Sequence, residues 1–159
     1  MYVLPVLFLS LLSCQVSGQT SKDIQGTLKV IPTTITDEKA NQTSKDIQGT
    51  WQVISTTITD EKGNKILQMD SATHNLTKVI TETRVLFTIY NKKTNALEVT
   101  GQGKAFTSGD QYVEYIEQST AKVLLRQPMA FTYKIEGDRL SYEGGAKDFH
   151  IVEVLQRIE

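Results

Sequence analysis

Few side chains in this chain can do chemistry, and their spacing favours binding over bond making. Among 159 residues there is one cysteine, Cys14, and there are two histidines, His74 and His150. Neither a Cys–His pair nor a serine triad can be assembled, because no Gly-x-Ser-x-Gly elbow accompanies the histidines. The same scarcity excludes a disulfide framework and a multi-cysteine zinc site, so no metal and no cofactor is expected. His150, close to Asp148, reads as a rim residue without a recognisable second partner, and haem ligation is set aside. His74 beside Asn75 reads as exposed. Gly101-Gln102-Gly103 has no following helix, so it is a bend in a strand and not a phosphate loop. Glu114 and Glu117 alternate onto opposite strand faces and cannot flank one bond. No catalytic residue is assigned, and the chain is expected not to be an enzyme.

What the spacing does allow is a polar anchor for a ligand. Glu114 shares a strand face with Tyr112 and Ile116, and Arg84 shares one with Leu86 and Tyr90. If both faces turn inward, Arg84 and Glu114 pair, since a buried charge is tolerated only with a partner. With Tyr112 and Tyr133 they would then form the ligand-binding set, suited to a carboxylate or hydroxyl. The opposite face of the Arg84 strand carries Val79, Val85, Phe87 and Ile89, which is the better core face, and that arrangement sends Arg84 to solvent.

The elements that must position these residues are strands. From Gln48 onward β-branched and aromatic residues dominate, and polar turn clusters recur every 8 to 14 residues or so, as in a sandwich or barrel. Strands are predicted over Thr50–Thr59, Lys78–Tyr90, Leu97–Phe106, Gln111–Gln118, Met129–Glu136, Arg139–Tyr142 and Phe149–Ile158, with a shorter one at Lys65–Gln68. One helical turn would fit between Asp70 and Asn75. The short connectors leave no room for crossover helices, so neighbours are antiparallel. The fold class is all-β, a small antiparallel up-and-down barrel of about eight strands, which removes exposed edges. A 39% hydrophobic and 22% charged composition is ordinary for a globular domain, and the formal net charge of −1 gives no field for nucleic acid.

The N-terminus has a different character. Tyr2 to Leu12 is almost wholly apolar and no charge precedes Lys22, which reads as a signal peptide over residues 1–18. Val16-Ser17-Gly18 offers a signal-peptidase exit. Leu11-Leu12-Ser13-Cys14 resembles a bacterial lipobox, in which Cys14 would carry a lipid and give the only membrane attachment. Gln19–Asn41 then aligns without a gap on Gln42–Asn64, differing at four of 23 positions: Leu28/Trp51, Lys29/Gln52, Pro32/Ser55 and Ala40/Gly63. Two copies do not make a solenoid. Pro32 breaks a strand pattern and Ala40 replaces a turn glycine, so the first copy is the surplus one. Residues 19–45 are read as a duplicated linker, loosely docked or disordered, and 46–159 as the barrel.

Ile47-Gln48-Gly49-Thr50-Trp51-Gln52-Val53-Ile54-Ser55 resembles the opening strand of lipocalin-like domains, with Gly-x-Trp in it. Lys78–Thr83, Gly101–Gly103, Tyr112–Glu117 and Val152–Ile158 are similar in order and spacing to small secreted or lipid-anchored bacterial proteins of that fold. The resemblance implies structural roles for Gly49 and Trp51, and an Arg157 that packs on the indole, the alternative being a solvated strand end. It also implies an extracytoplasmic home, whether secreted, periplasmic or lipid-anchored to the envelope. The expected function is non-catalytic binding of a small, mostly apolar or amphipathic molecule in the lumen. The alternative is a structural or interaction protein of the envelope whose barrel is filled by its own side chains. If the first copy is surplus, deleting residues 19–41 leaves cooperative unfolding intact and moves stability by less than about 1 kcal/mol in urea titration.

Overall fold

The computed structural model describes residues 42–159. The signal segment, Cys14 and the first copy of the repeat lie outside the described residues. Nine strands follow in order: β1 (Gly49–Asp60), β2 (Lys65–Asp70), β3 (His74–Ile80), β4 (Arg84–Asn91), β5 (Leu97–Ser108), β6 (Gln111–Ser119), β7 (Pro128–Glu136), β8 (Arg139–Ala146) and β9 (Phe149–Arg157). Every neighbouring pair is antiparallel, and β1 pairs with β9, so β1 and β3 to β9 close an eight-stranded barrel. The ninth strand, β2, is the extra one. It forms a hairpin with the second half of β1, while the first half of β1 pairs with β3. A single 3-10 turn, Lys122–Leu124, sits between β6 and β7. Among the described residues no helix is long and apolar enough to cross a membrane.

Alternation places the core. Leu76 and Ile80 on β3, Val85, Phe87 and Ile89 on β4, Tyr112 and Ile116 on β6, Met129 and Phe131 on β7, and Ile151 and Leu155 on β9 are all buried at period 2. In β1 the pairing with β9 slips between Val53 and Ser55. That bulge shifts the inward set from Trp51 and Val53 to Thr56, which is buried. Gly101 faces Phe87 across the β4–β5 ladder, and a side chain there would strike the Phe87 ring. The missing Cβ lets that ring lie over the strand.

Two features of the sequence reading need correction. Lys78–Tyr90 is not one strand. It is broken between Ile80 and Arg84, where the Thr81 N–H donates to the Arg84 carbonyl at 2.8 Å and the Arg84 N–H to the Thr81 hydroxyl at 3.1 Å. The break reverses the phase of alternation, so Lys78 turns inward while Val79 is only partly buried. The segment from Asp70 to Asn75 holds a turn and the start of β3 but no helix. The Asp70 carboxylate accepts N–H bonds from Ala72 and Thr73, both at 3.0 Å, and these close the turn.

One end of the barrel is capped by Gln42–Gln48. The Thr43 N–H donates to Glu82 O at 2.7 Å and its hydroxyl to Thr81 O at 2.7 Å, and the Thr107 N–H donates to Gln42 O at 3.0 Å. Residues 42–44, expected in the linker, are therefore bound to the barrel. Ile47 and Trp51 are both fully buried at this end, and the indole N–H donates to the Ile47 carbonyl at 2.9 Å. The Arg157 guanidinium lies 4.1 Å from the indole centroid and donates to the carbonyls of Gln48 and Asp46. Gly49 has φ of +142°, and a side chain there would collide with that guanidinium and with the Glu159 carbonyl. The cation–π contact contributes about 0.5 to 2 kcal/mol. Trp51→Ala removes the indole from this cap and is expected to destabilise by roughly 3 to 5 kcal/mol in urea unfolding. An unchanged midpoint would show that the cap does not depend on the indole.

Candidate functional site

Four strands each place one polar side chain in an otherwise apolar inward row. Lys78 stands between Leu76 and Ile80 on β3, and Glu114 between Tyr112 and Ile116 on β6. Glu153 stands between Ile151 and Leu155 on β9, and Tyr142 follows Leu140 on β8. All four are buried. The Lys78 Nζ meets Glu114 Oε1 at 2.9 Å and Glu153 Oε2 at 3.2 Å, and it donates to the Tyr142 hydroxyl. Tyr142 in turn donates to Glu153 Oε2, and the Thr56 hydroxyl donates to Glu153 Oε1 at 3.0 Å. The Lys78 ammonium also lies 4.9 Å from the Tyr142 ring centroid and 5.8 Å from that of Phe87.

Above this cluster is a cavity of about 280 Å³ with largely apolar walls, among them Leu76, Phe87, Phe131 and Phe149. Lys78, Glu114, Glu153, Tyr142 and Thr56 form its polar part. At its rim Ile66 and Leu67 of β2 and Val123 of the 3-10 turn are exposed. Tyr112, beneath the cavity, packs with Phe131 and Tyr142 of the cavity lining, with ring centroids 4.8 to 6.1 Å apart.

The residues singled out from sequence fare differently. Glu114 is in the lumen, 2% exposed. Arg84 is not. Its side chain is 40% exposed and pairs with Glu117 Oε2 at 2.9 Å on the outer face. The inward Arg84–Glu114 pair is corrected accordingly: Val85, Phe87 and Ile89 take the inward row of β4, and Lys78 partners Glu114 instead. Tyr112 is buried beneath the cavity without lining it, and among the described residues its hydroxyl has no partner at hydrogen-bond geometry. Tyr133 does not line the cavity either. Its hydroxyl lies 3.1 Å from the Ser44 Oγ of the cap. His150 is exposed, and His74 Nε2 lies 3.2 Å from Glu98. Among the described residues no group of three His, Cys, Asp or Glu side chains is arranged to hold a metal. Sequence reasoning missed Lys78 and Glu153, and the signal for both is a lone charge inside an apolar period-2 row.

Burial and charge set the protonation of the cluster. Burial pulls the Lys78 pKa down, but the charges of Glu114 and Glu153 and the hydrogen bonds to them outweigh it, leaving it above the usual 10.5. Burial pushes the Tyr112 and Tyr142 hydroxyls well above the usual 10.0. The nearby carboxylates, chiefly Glu114 for Tyr112 and Glu153 for Tyr142, push the same way. A group with a raised folded pKa contributes stability that is complete below its unfolded pKa and is lost as pH rises through the folded one. All three therefore act in one direction, and the urea midpoint is expected to fall between about pH 9 and pH 11. Tyr112→Phe together with Tyr142→Phe should flatten that fall, and an equal slope in the double variant would contradict the assignment.

Residues 46–159 match the family model described as domain of unknown function DUF4488. No curated protein and no solved structure matches the chain. The match begins inside the cap and runs to the end of the chain, taking in all nine strands, Trp51, Arg157 and every residue of the lumenal cluster. The chain belongs to the DUF4488 family.

Proposed function

We propose that this barrel is a non-catalytic binding protein that holds a small, mostly apolar molecule in its lumen and works outside the cytoplasm. The observation that carries the reading is the cavity of about 280 Å³ with aromatic and aliphatic walls and a few convergent polar groups at its base. Small-molecule sites are built this way, usually with about 300 to 1,000 Å³, so the occupant is compact. An eight-stranded barrel is near the size at which side chains fill the interior, and the open space above Lys78 weighs against a purely structural barrel. The Trp51–Arg157 contact supports the lipocalin likeness, and the apolar run Tyr2–Leu12 before Val16-Ser17-Gly18 and Cys14 supports export. Lysine and tyrosine held in their protonated forms, with no histidine or cysteine among the described residues that line the lumen, favour holding a molecule over transforming it.

The neutral fluorophore N-phenyl-1-naphthylamine tests the reading. Its emission should rise and shift to the blue on titration with wild-type protein. Val99→Trp, which places an indole on the cavity wall, should weaken the effect roughly tenfold. No enhancement by the wild type, or equal enhancement by a folded Val99→Trp variant, would overturn it.

A further inference from the structure

The hydrogen-bonding capacity at the base of the cavity restricts the head group that can sit there. An ammonium has three protons. Lys78 directs its three to Glu114 Oε1, Glu153 Oε2 and the Tyr142 hydroxyl. The Tyr142 and Thr56 hydroxyl protons both go to Glu153. No polar side chain of the cluster therefore keeps a proton to offer an incoming molecule. Acceptor capacity remains, however: Glu114 lines the cavity at 2% exposure, and its Oε2 receives no hydrogen bond from the described residues. The Tyr112 hydroxyl beneath the cavity is close enough to the Glu114 carboxylate to feel its charge, but it does not line the cavity and has no partner at hydrogen-bond geometry among the described residues.

Charge points the same way. Among the described residues Lys78 is the one basic residue lining the cavity, and it faces two carboxylates, so the cluster carries a formal excess of one negative charge. Among the described residues a carboxylate-headed molecule such as a fatty acid would find neither a free proton nor a free cation at the cluster, and Arg84, which could have supplied one, is on the outer face with Glu117. A head group that donates hydrogen bonds and carries positive charge would satisfy Glu114 and neutralise the excess together.

We propose that the lumen takes a compact apolar molecule ending in a protonated amine, with the ammonium donating to Glu114 Oε2 and the tail lying against Phe87, Phe131 and Phe149. The assignment rests on the reading of the cavity as a ligand site, and it adds the chemistry of the head group.

Three probes with the same tail separate the two. In isothermal titration calorimetry at neutral pH, n-octylamine should bind about tenfold more tightly than 1-octanol, the difference expected of a hydrogen bond to a buried charge, and sodium octanoate should bind most weakly. Glu114→Gln should bring the amine down to the level of the alcohol. The order of the three probes on wild-type protein decides the matter even where the variant does not fold. If the alcohol equals the amine, if octanoate binds best, or if a folded Glu114→Gln variant keeps the preference, the amine assignment is overturned while the cavity remains a site. If none of the three binds and the neutral fluorophore also fails, the cavity reading falls and the assignment with it.

Discussion

The Lys78 ammonium ties together strands that are otherwise joined only around the barrel wall. From β3 it reaches Glu114 on β6, three strands away in one direction, and Glu153 on β9, two strands away in the other. Removing one partner of a buried ion pair costs about 3 to 5 kcal/mol, so each of these residues holds the others in place. The cluster also divides the lumen. Below it Tyr112, Leu140, Leu155 and Trp51 fill the space to zero exposure, and above it the cavity stays open. A side-chain amine laid across the barrel thus separates the half that is packed core from the half that is cavity.

The fold was legible because its signals are local. Turn clusters such as Asp60–Asn64 and alternating β-branched residues are dictated by neighbours in sequence, and the strands from β5 to β9 start within a residue or two of where alternation puts them. The site was legible only in part. Glu114 stood out as a charge flanked by Tyr112 and Ile116. Lys78 did not, because reading Lys78–Tyr90 as continuous puts Lys78 on the same face as Arg84, and one broken turn at Thr81–Thr83 is enough to send the two to opposite sides. Thr56 was hidden for a similar reason, since the bulge at Ile54 is specified by pairing with β9 and leaves no mark in the sequence of β1. Period-2 reasoning is reliable within a strand and blind to the points at which its phase resets.

The second copy of the duplicated segment supplies the cap. Thr43, Ser44 and Gln48 hydrogen-bond around the closed end, and Trp51 supplies both the donor for the Ile47 carbonyl and the face for Arg157. The first copy repeats Gln-Thr-Ser-Lys-Asp-Ile-Gln-Gly-Thr but has Leu28 where the second has Trp51. Leucine has no N–H to donate and no aromatic face for a guanidinium. The two copies share the backbone-bonding residues of the cap and differ at the side chain that locks it.

Strand β2 gives the open end a different mechanical character from the rest of the wall. Each strand of the closed barrel is held by ladders on both sides, whereas among the described residues β2 pairs with β1 alone. Lifting it breaks one row of hydrogen bonds and exposes little that is not already exposed, since of its six residues only Met69 is buried. Such a strand belongs to the low-stability part of a structure and opens without unfolding its neighbours. Ile66 and Leu67 ride on it at the rim of the cavity. On the proposed reading of the cavity, entry would be timed by a hairpin at the edge and affinity set by charges at the centre, so the rate of exchange and the tightness of binding could drift apart under mutation, each answering to a different stretch of chain.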